Sequence, residues 1–343
     1  MQIVRTPLPA ALQEVLRTVP PAGRPRPRPA SLSCIVPCRN EARNLDLLLP
    51  QLSELLPRLA DSWEVILVDD GSTDRTATVM RDWSELPGFR TIELSRNFGK
   101  EAALTAGLQA ARGDTVVMMD ADLQHPPALI AEMVSRWREG ADVVYAQRMH
   151  RADESLLKRV GTHWFYQLLN RFDRIQVPEG AGDFRLLDRR AVDALLSLPE
   201  RNRFMKGLYA WIGFDAVALP YVPAPRAHGQ SQFSASRLLR LSFDGLTAFA
   251  NWPLRVVAPL GILLALASFA YGGYLVLGYL VNGHPVSGWT TIVVLLTFFF
   301  GAQMIFLGVI GEYLARVYDE VKGRPLYLVK RESGSGLRPR MTP

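Results

Sequence analysis

Asp120-Ala121-Asp122-Leu123-Gln124-His125 is the stretch of this sequence best equipped for chemistry. Two carboxylates one residue apart, with an amide oxygen from Gln124 just beyond, make an oxygen-only donor set suited to Mg2+ or Mn2+ shared with diphosphate oxygens. The apolar run Thr115-Val116-Val117-Met118-Met119 precedes it, so the pattern predicts a buried strand ending at Asp120, with Pro126-Pro127 enforcing a turn afterwards. On a regular strand Asp120 and Asp122 would point to one side with Ala121 opposite. His125 is a further ligand or acid by type, but its place before two prolines reads as a turn residue facing water. An isolated Asp-x-Asp recurs by accident. Its weight depends on its company.

That company consists of segments that each follow an apolar run. Pro37-Cys38-Arg39-Asn40-Glu41 follows the strand from Leu32, and Asp69-Asp70-Gly71-Ser72 follows Trp63 to Val68. Helical segments lie between: one from about Asn44 to Ala60, one opened by Ser72-Thr73-Asp74 as N-cap candidates, and one from Phe98 to Ala111 after a third strand, Arg90 to Leu94. Strand-helix alternation of this kind predicts an α/β fold with a mostly parallel sheet flanked by helices, and ligands then gather at the carboxyl ends of the strands. A further strand is expected at Asp142 to Arg148. No Gly-x-Gly-x-x-Gly or phosphate-loop lysine motif follows the first strand, which excludes the usual dinucleotide and nucleoside triphosphatase sites.

The chain has 343 residues and a net charge of +6. No residue is charged from Val256 to Leu280 or from Thr290 to Ile310, and each run is long enough as a helix to cross about 30 Å of hydrocarbon. Two membrane spans are expected over 256–314. The connecting loop lacks Lys and Arg, whereas Arg237, Arg240 and Arg255 precede the first run and Arg316, Lys322, Arg324, Lys330 and Arg331 follow the second, placing both termini on the cytoplasmic side. Residues 234–255 read as an amphipathic interfacial helix and 315–343 as a cytoplasmic segment, in which the second span's helix continues to about Tyr318 and Arg324 to Val329 lies back on the strand-helix domain. Anionic lipid, rather than nucleic acid, is the partner the charge suits. Residues 1–30 carry a Pro/Arg tract read as an extended, mobile tail. No apolar segment follows the N-terminus, so no signal peptide is expected. Cys34 and Cys38 share one apolar stretch and read as buried, reduced thiols.

Ile35-Val36-Pro37-Cys38-Arg39-Asn40-Glu41, Val68-Asp69-Asp70-Gly71-Ser72-Thr73-Asp74, Ser95-Arg96-Asn97-Phe98-Gly99-Lys100 and Asp120-Ala121-Asp122-Leu123-Gln124-His125-Pro126-Pro127 together resemble the family 2 glycosyltransferases of GT-A fold, within them the polyprenyl-phosphate glycosyltransferases. The resemblance implies a catalytic domain over 31–233 and inverting transfer of one sugar from a nucleotide-sugar, a UDP-sugar foremost, to undecaprenyl phosphate at the bacterial cytoplasmic membrane. It implies nucleotide and donor contacts from Pro37, Arg39, Glu41, Asp69, Asp70, Lys100, Asp120, Ala121 and Ser231. Mg2+ or Mn2+ would sit on Asp120, Asp122 and Gln124. Asp183 stands where the family's proposed base lies, and Asp122 and Arg203 complete the implied catalytic set. The acceptor phosphate falls to Arg148, Arg151, Arg185 and Lys206, with Lys158 and Arg201 as further candidates. Gln232 stands where a lysine is common, which removes a phosphate contact there. Relatives suggest a homo-oligomer, a tetramer among them. A processive polysaccharide synthase is disfavoured by two spans and the lack of Gln-x-x-Arg-Trp, and a non-enzymatic scaffold or flippase partner by the intact acidic motif.

Overall fold

The structure is a computed structural model that describes residues 25–148, 181–201, 203–222, 252–282 and 288–338. It divides into two compact units, one holding a sheet with its helices and the other two long apolar helices.

The sheet begins with strand β1 (Ser31–Cys38), helix α1 (Ala42–Leu59), strand β2 (Ser62–Asp69), helix α2 (Thr76–Ser84), strand β3 (Phe89–Leu94), helix α3 (Lys100–Ala110) and strand β4 (Thr115–Met118). These four strands run parallel, because each is returned to the same edge by a helix packed on the sheet. Their cores are nearly continuous apolar runs, as both faces are covered: Cys34, Ile35, Val36, Val65, Ile66, Leu67, Val116 and Val117 are all fully buried. α1 turns Leu45, Leu48, Leu49, Leu52 and Leu56 inward, the spacing of one helical face. α4 (Leu129–Arg138), β5 (Val143–Arg148), β6 (Ala181–Asp188), α5 (Arg189–Ser197), α6 (Met205–Trp211) and β7 (Ala216–Tyr221) continue the unit. β6 is antiparallel to β4 and β5, and the order across these strands is β7-β5-β6-β4-β1-β2-β3.

β8 (Val329–Gly334) comes from the C-terminal segment and pairs antiparallel with β3, so the chain after the second long helix lies back on the sheet unit. It is tied down further on. Glu64 is fully buried in β2, and its carboxylate accepts hydrogen bonds from Ser33 Oγ at 2.6 Å, Arg112 N at 2.9 Å and Leu337 N at 3.1 Å. A buried carboxylate of this kind needs all its donors.

The Pro/Arg tract is extended over its described residues, but it is anchored there. Arg26 pairs with Asp142 at 2.5 Å and donates to Ala141 O at 2.6 Å, and Arg28 donates to Ala60 O at 2.8 Å and Pro57 O at 3.1 Å where α1 ends. Arginine at a helix C-terminus satisfies carbonyls the helix leaves open. The expected mobility therefore does not reach Arg26–Ala30. Residues 1–24 lie outside the described residues.

In the second unit, α7 (Trp252–Asn282) and α8 (Trp289–Val321) contain apolar stretches, Pro259–Gly278 and Phe298–Val321, long enough to cross a membrane. Phe269 and Val281 are each 79% exposed, apolar surface of the kind that water does not favour. The expected interfacial helix before α7 lies outside the described residues up to 251.

Candidate active site

The register of β1 with β2 sets Cys38 beside Asp69, and that of β1 with β4 sets Ile35 beside Met118. The segments that follow these strands consequently meet at one edge. A cleft of about 320 Å3 opens there, walled by Pro37, Arg39 and Glu41 after β1, Asp70 after β2, Gly99 and Lys100 at the head of α3, and Asp120, Ala121 and Asp122 after β4.

Local chemistry fixes these loops to one another. Asn40 has a left-handed φ of 57°, which asparagine tolerates, and its Oδ1 accepts from Thr73 N at 2.8 Å while its own N–H donates to Ser72 Oγ at 2.9 Å. Gly71 has φ +68°, and a Cβ there would fall 2.6 Å from Asn97 N, so only glycine lets the two loops approach. Asp70 accepts from Phe98 N at 2.7 Å and Gly99 N at 3.0 Å, holding the start of α3 in place. Asp69 accepts from Ser72 N at 3.0 Å and is 4% exposed. Both carboxylates expected on the nucleotide are thus engaged with backbone, Asp69 turned inward and Asp70 at the cleft wall. Helix α2 begins only at Thr76, after Asp74 Oδ1 has accepted from Thr76 N at 2.9 Å.

The acidic motif departs from the expected strand. β4 stops at Met118, and Ala121 and Asp122 form a turn in which Leu123 takes φ 59° and Asp122 Oδ1 accepts from Gln124 N at 3.1 Å. Strand alternation therefore does not orient the two carboxylates; the turn does, and it sets both beside the cleft while Ala121 is buried. His125 also differs from expectation. It is 9% exposed, packed 5.0 Å from the Phe184 ring and 5.3 Å from the Tyr221 ring, because the turn folds it under the motif; burial lowers its pKa.

Lys100 joins the two halves of the site. Its Nζ donates to Asp120 Oδ1 at 2.6 Å and to Asp183 Oδ2 at 2.7 Å. Desolvation would lower the ammonium pKa, but Asp183 and Asp120 outweigh it and raise it. For Asp183, burial would raise the pKa, yet Lys100, then Lys206 and Arg185, hold it well below the usual carboxylate range. Asp183 is ionised at neutral pH, and its Oδ1 is buried without a hydrogen-bond partner.

The arginines fall into different roles. Arg185, two residues along β6 from Asp183 and hence on the same side, is 3% exposed, donates to Gly182 O at 2.6 Å and lies 3.5 Å over the Tyr209 ring. Burial foremost lowers its pKa. It is a buried companion of Asp183, not an exposed clamp. Arg203 is 8% exposed and donates to Leu198 O at 2.7 Å and Glu200 O at 3.2 Å, capping the end of α5, while its Nη1 has no partner. Arg148 is exposed at the end of β5, beside Tyr221 in register. Lys206, on α6, acts on Asp183 and Glu101 through its charge. Arg151, Lys158, Ser231 and Gln232 lie outside the described residues.

Glu101 and Tyr221 carry no motif signal, and sequence reasoning missed both. Glu101 follows Lys100, and its pKa is pushed up to about 8, by burial first and then by Asp183. Tyr221 is pushed up to about 12, by burial first, with Asp120 and Asp122 acting in the same direction and Arg148 opposing. Only the fold brings them to the edge.

No group of three or more His, Cys, Asp or Glu side chains among the described residues is gathered for a metal. Asp120, Asp122 and Gln124 nevertheless fit a hard cation that takes its remaining oxygens from a bound diphosphate or water, the usual manner of Mg2+.

Residues 33–196 match the description of Glycosyl transferase family 2, and residues 252–317 that of the GtrB C-terminal hairpin. The chain is 44% identical over 299 residues to an uncharacterized glycosyltransferase of Synechocystis sp., covering 87% of this chain and 94% of that one. It is 38% identical over 301 residues to the bactoprenol glucosyl transferase of Shigella phage SfII, covering 88% and 97%. Among solved structures, a Pyrobaculum calidifontis mannosyltransferase in complex with GDP-Man and Mn2+ is 20% identical, with a TM-score of 0.44 over 87% of this chain and 92% of that one.

Proposed function

The chain belongs to glycosyl transferase family 2 and is a glycosyltransferase of GT-A-like fold, and from that premise we propose that it moves one sugar from a nucleotide-sugar, a UDP-sugar foremost, to the phosphate of undecaprenyl phosphate at the cytoplasmic face of a membrane. The observation that carries the reading is the Lys100 bridge, which brings the acidic motif and Asp183 to one ammonium. The relatives named bactoprenol glucosyl transferase, similar over nearly their whole length, support a polyprenyl-phosphate acceptor. The two apolar helices support a membrane location, and the lysines and arginines that flank them support a cytoplasmic catalytic unit.

In this reading the nucleotide lies between Pro37, Arg39, Glu41 and the Asp70 loop, and its diphosphate reaches Asp120, Asp122 and Gln124. Mg2+ or Mn2+ held there supplies charge neutralisation for the departing nucleoside diphosphate. Lys100 contributes a second positive charge beside the breaking bond. The acceptor phosphate attacks the anomeric carbon from the opposite side as the bond to the diphosphate breaks, inverting the centre in one displacement. A phosphate monoester has a second pKa of about 6, so its oxygen is already a nucleophile at neutral pH. Asp183, ionised beside Lys100, Lys206 and Arg185, therefore orients the cations around the acceptor more than it takes a proton. Arg148 and Lys206 are the described cations closest to the role of receiving the acceptor's charge, with Arg151 from outside the described residues.

The test is a panel of nucleotide-sugars offered to the purified protein with undecaprenyl phosphate, read by the mass of the lipid product. A lipid monophosphate carrying one sugar is expected. Sugar polymers, or no lipid product with any donor, would refute the reading.

A further inference from the structure

Glu101 follows Lys100 in the first turn of α3, and the proposed chemistry gives it no task. It lies outside the cleft, on the wall of a pocket of about 230 Å3 that is lined also by Lys100, Arg201, Arg203 and Leu326. Its carboxyl accepts from the backbone N–H of Met205, the first residue of α6. That N–H has no acceptor within its own helix, and the phenylalanine at the N-cap, Phe204, has no side-chain oxygen to offer, so Glu101 is the cap that α6 receives from another element. Its Oε2 is buried without a hydrogen-bond partner.

The charged groups around Glu101 come from each neighbouring element. Lys100 precedes it on α3, Asp183 and Arg185 stand on β6, and Arg203, Lys206 and Tyr209 lie before and on α6, with Arg201 on the same pocket wall. The cations are of the kind a phosphate uses, and Asp183 already offsets part of their charge through Lys100. A second carboxylate would cancel more of it. Burial first, then Asp183, pushes the Glu101 pKa up to about 8 against Lys100 and Lys206, so at neutral pH the group is mostly a carboxylic acid. A neutral acid keeps a carbonyl oxygen for Met205 N and carries a hydroxyl in place of the charge.

We infer that Glu101 is a positioning residue: it ties the head of α6 to the head of α3, so that Lys100, Arg203 and Lys206 face the acceptor's phosphate as one cluster, and it does so without adding negative charge to them. The inference rests on the proposed glycosyl transfer. A dianionic phosphate bound beside the tie favours the neutral acid, so acceptor affinity and the Glu101 proton are linked. As pH rises through about 8 the carboxyl ionises, opposes the phosphate and weakens its binding. The acceptor's own second ionisation, at about 6, is complete below that range.

The test uses the whole chain in proteoliposomes with undecaprenyl phosphate and a nucleotide-sugar that the wild type transfers. KM for the lipid phosphate is compared at pH 7 and pH 9 in wild type, Glu101→Gln and Glu101→Leu. In wild type it should rise roughly fivefold over this range, the linkage expected of one carboxyl that titrates midway. Glu101→Gln, which keeps an oxygen for Met205 N but cannot ionise, should give values at the two pH settings within about twofold of each other. Glu101→Leu removes the tie as well, so it should lose the pH step and also raise KM at pH 7 by about tenfold, the effect of losing one good hydrogen bond. Circular dichroism checks its folding; if that variant does not fold, wild type against Glu101→Gln decides. A step of equal size in wild type and Glu101→Gln, no step in wild type, or an unchanged KM at pH 7 in folded Glu101→Leu overturns the inference and leaves the proposed function standing. A wild-type protein that glycosylates no lipid phosphate with any donor defeats that function, and the inference with it.

Discussion

Lys100 is the residue whose position does most to define the site. Its ammonium stands on Asp120, one of the two carboxylates offered to the divalent ion, so the two cations compete for the same oxygen. Replacing it as Lys100→Met should tighten Mn2+ binding to the nucleotide-free protein by about tenfold, equivalent to about 1.4 kcal/mol, when read by electron paramagnetic resonance, while transfer slows. Unchanged Mn2+ affinity would mean that the ion sits elsewhere. At this scale much could be read from the chain: Pro37, Arg39, Glu41, Lys100, Asp120 and Asp122 do line one cleft. What could not be read was which carboxylates the protein uses on itself. Asp69 and Asp70 look alike in the motif, but Asp69 Oδ1 accepts from Ser72 and Asp70 accepts from Phe98 and Gly99, contacts that only loop geometry reveals. Glu101 was invisible for the converse reason, since a glutamate in the first turn of a helix is ordinary until the fold buries it.

The elements were legible where their periodicity was strong and local. β1 to β4 and their helices follow from apolar runs and turn residues, and the carboxyl-end rule then located the site. β8 was expected only as a segment returning to the domain, because Val329–Gly334 alternates weakly and pairs with a strand more than two hundred residues earlier. The strand end at Met118 was missed because Met119 continues the apolar run while the chain has already left the sheet. The returning segment has an energetic role that can be measured. Ending the chain at Leu328 removes β8, bares the edge of β3 and withdraws Leu337 N–H from the buried carboxylate of Glu64. An unsatisfied buried acceptor costs about 1–3 kcal/mol, so the truncated protein should melt roughly 5 °C or more below wild type by differential scanning fluorimetry. An unaltered melting temperature would show that the C-terminal strand contributes nothing to the unit.

At the scale of the whole chain, a family 2 catalytic unit and a hairpin of two apolar helices are joined in one polypeptide, and β8 and Leu326 lie in the segment that follows the hairpin. That arrangement suits a soluble nucleotide donor and an acceptor that never leaves the bilayer. Two long uncharged runs flanked by basic residues made the hairpin plain in the sequence, whereas the identity of the sugar was not legible, because no residue spacing encodes it. The central claim is that the Asp120-Ala121-Asp122 turn drives transfer to the lipid phosphate. It is tested most directly by Asp120→Asn and Asp122→Asn, assayed with nucleotide-sugar and undecaprenyl phosphate in proteoliposomes, with circular dichroism as the check on folding. Both variants should fold and yield no glycolipid above background, and wild type should lose its activity in excess EDTA and regain it with Mg2+ or Mn2+. Full transfer by either variant, or undiminished turnover in EDTA, would contradict the account.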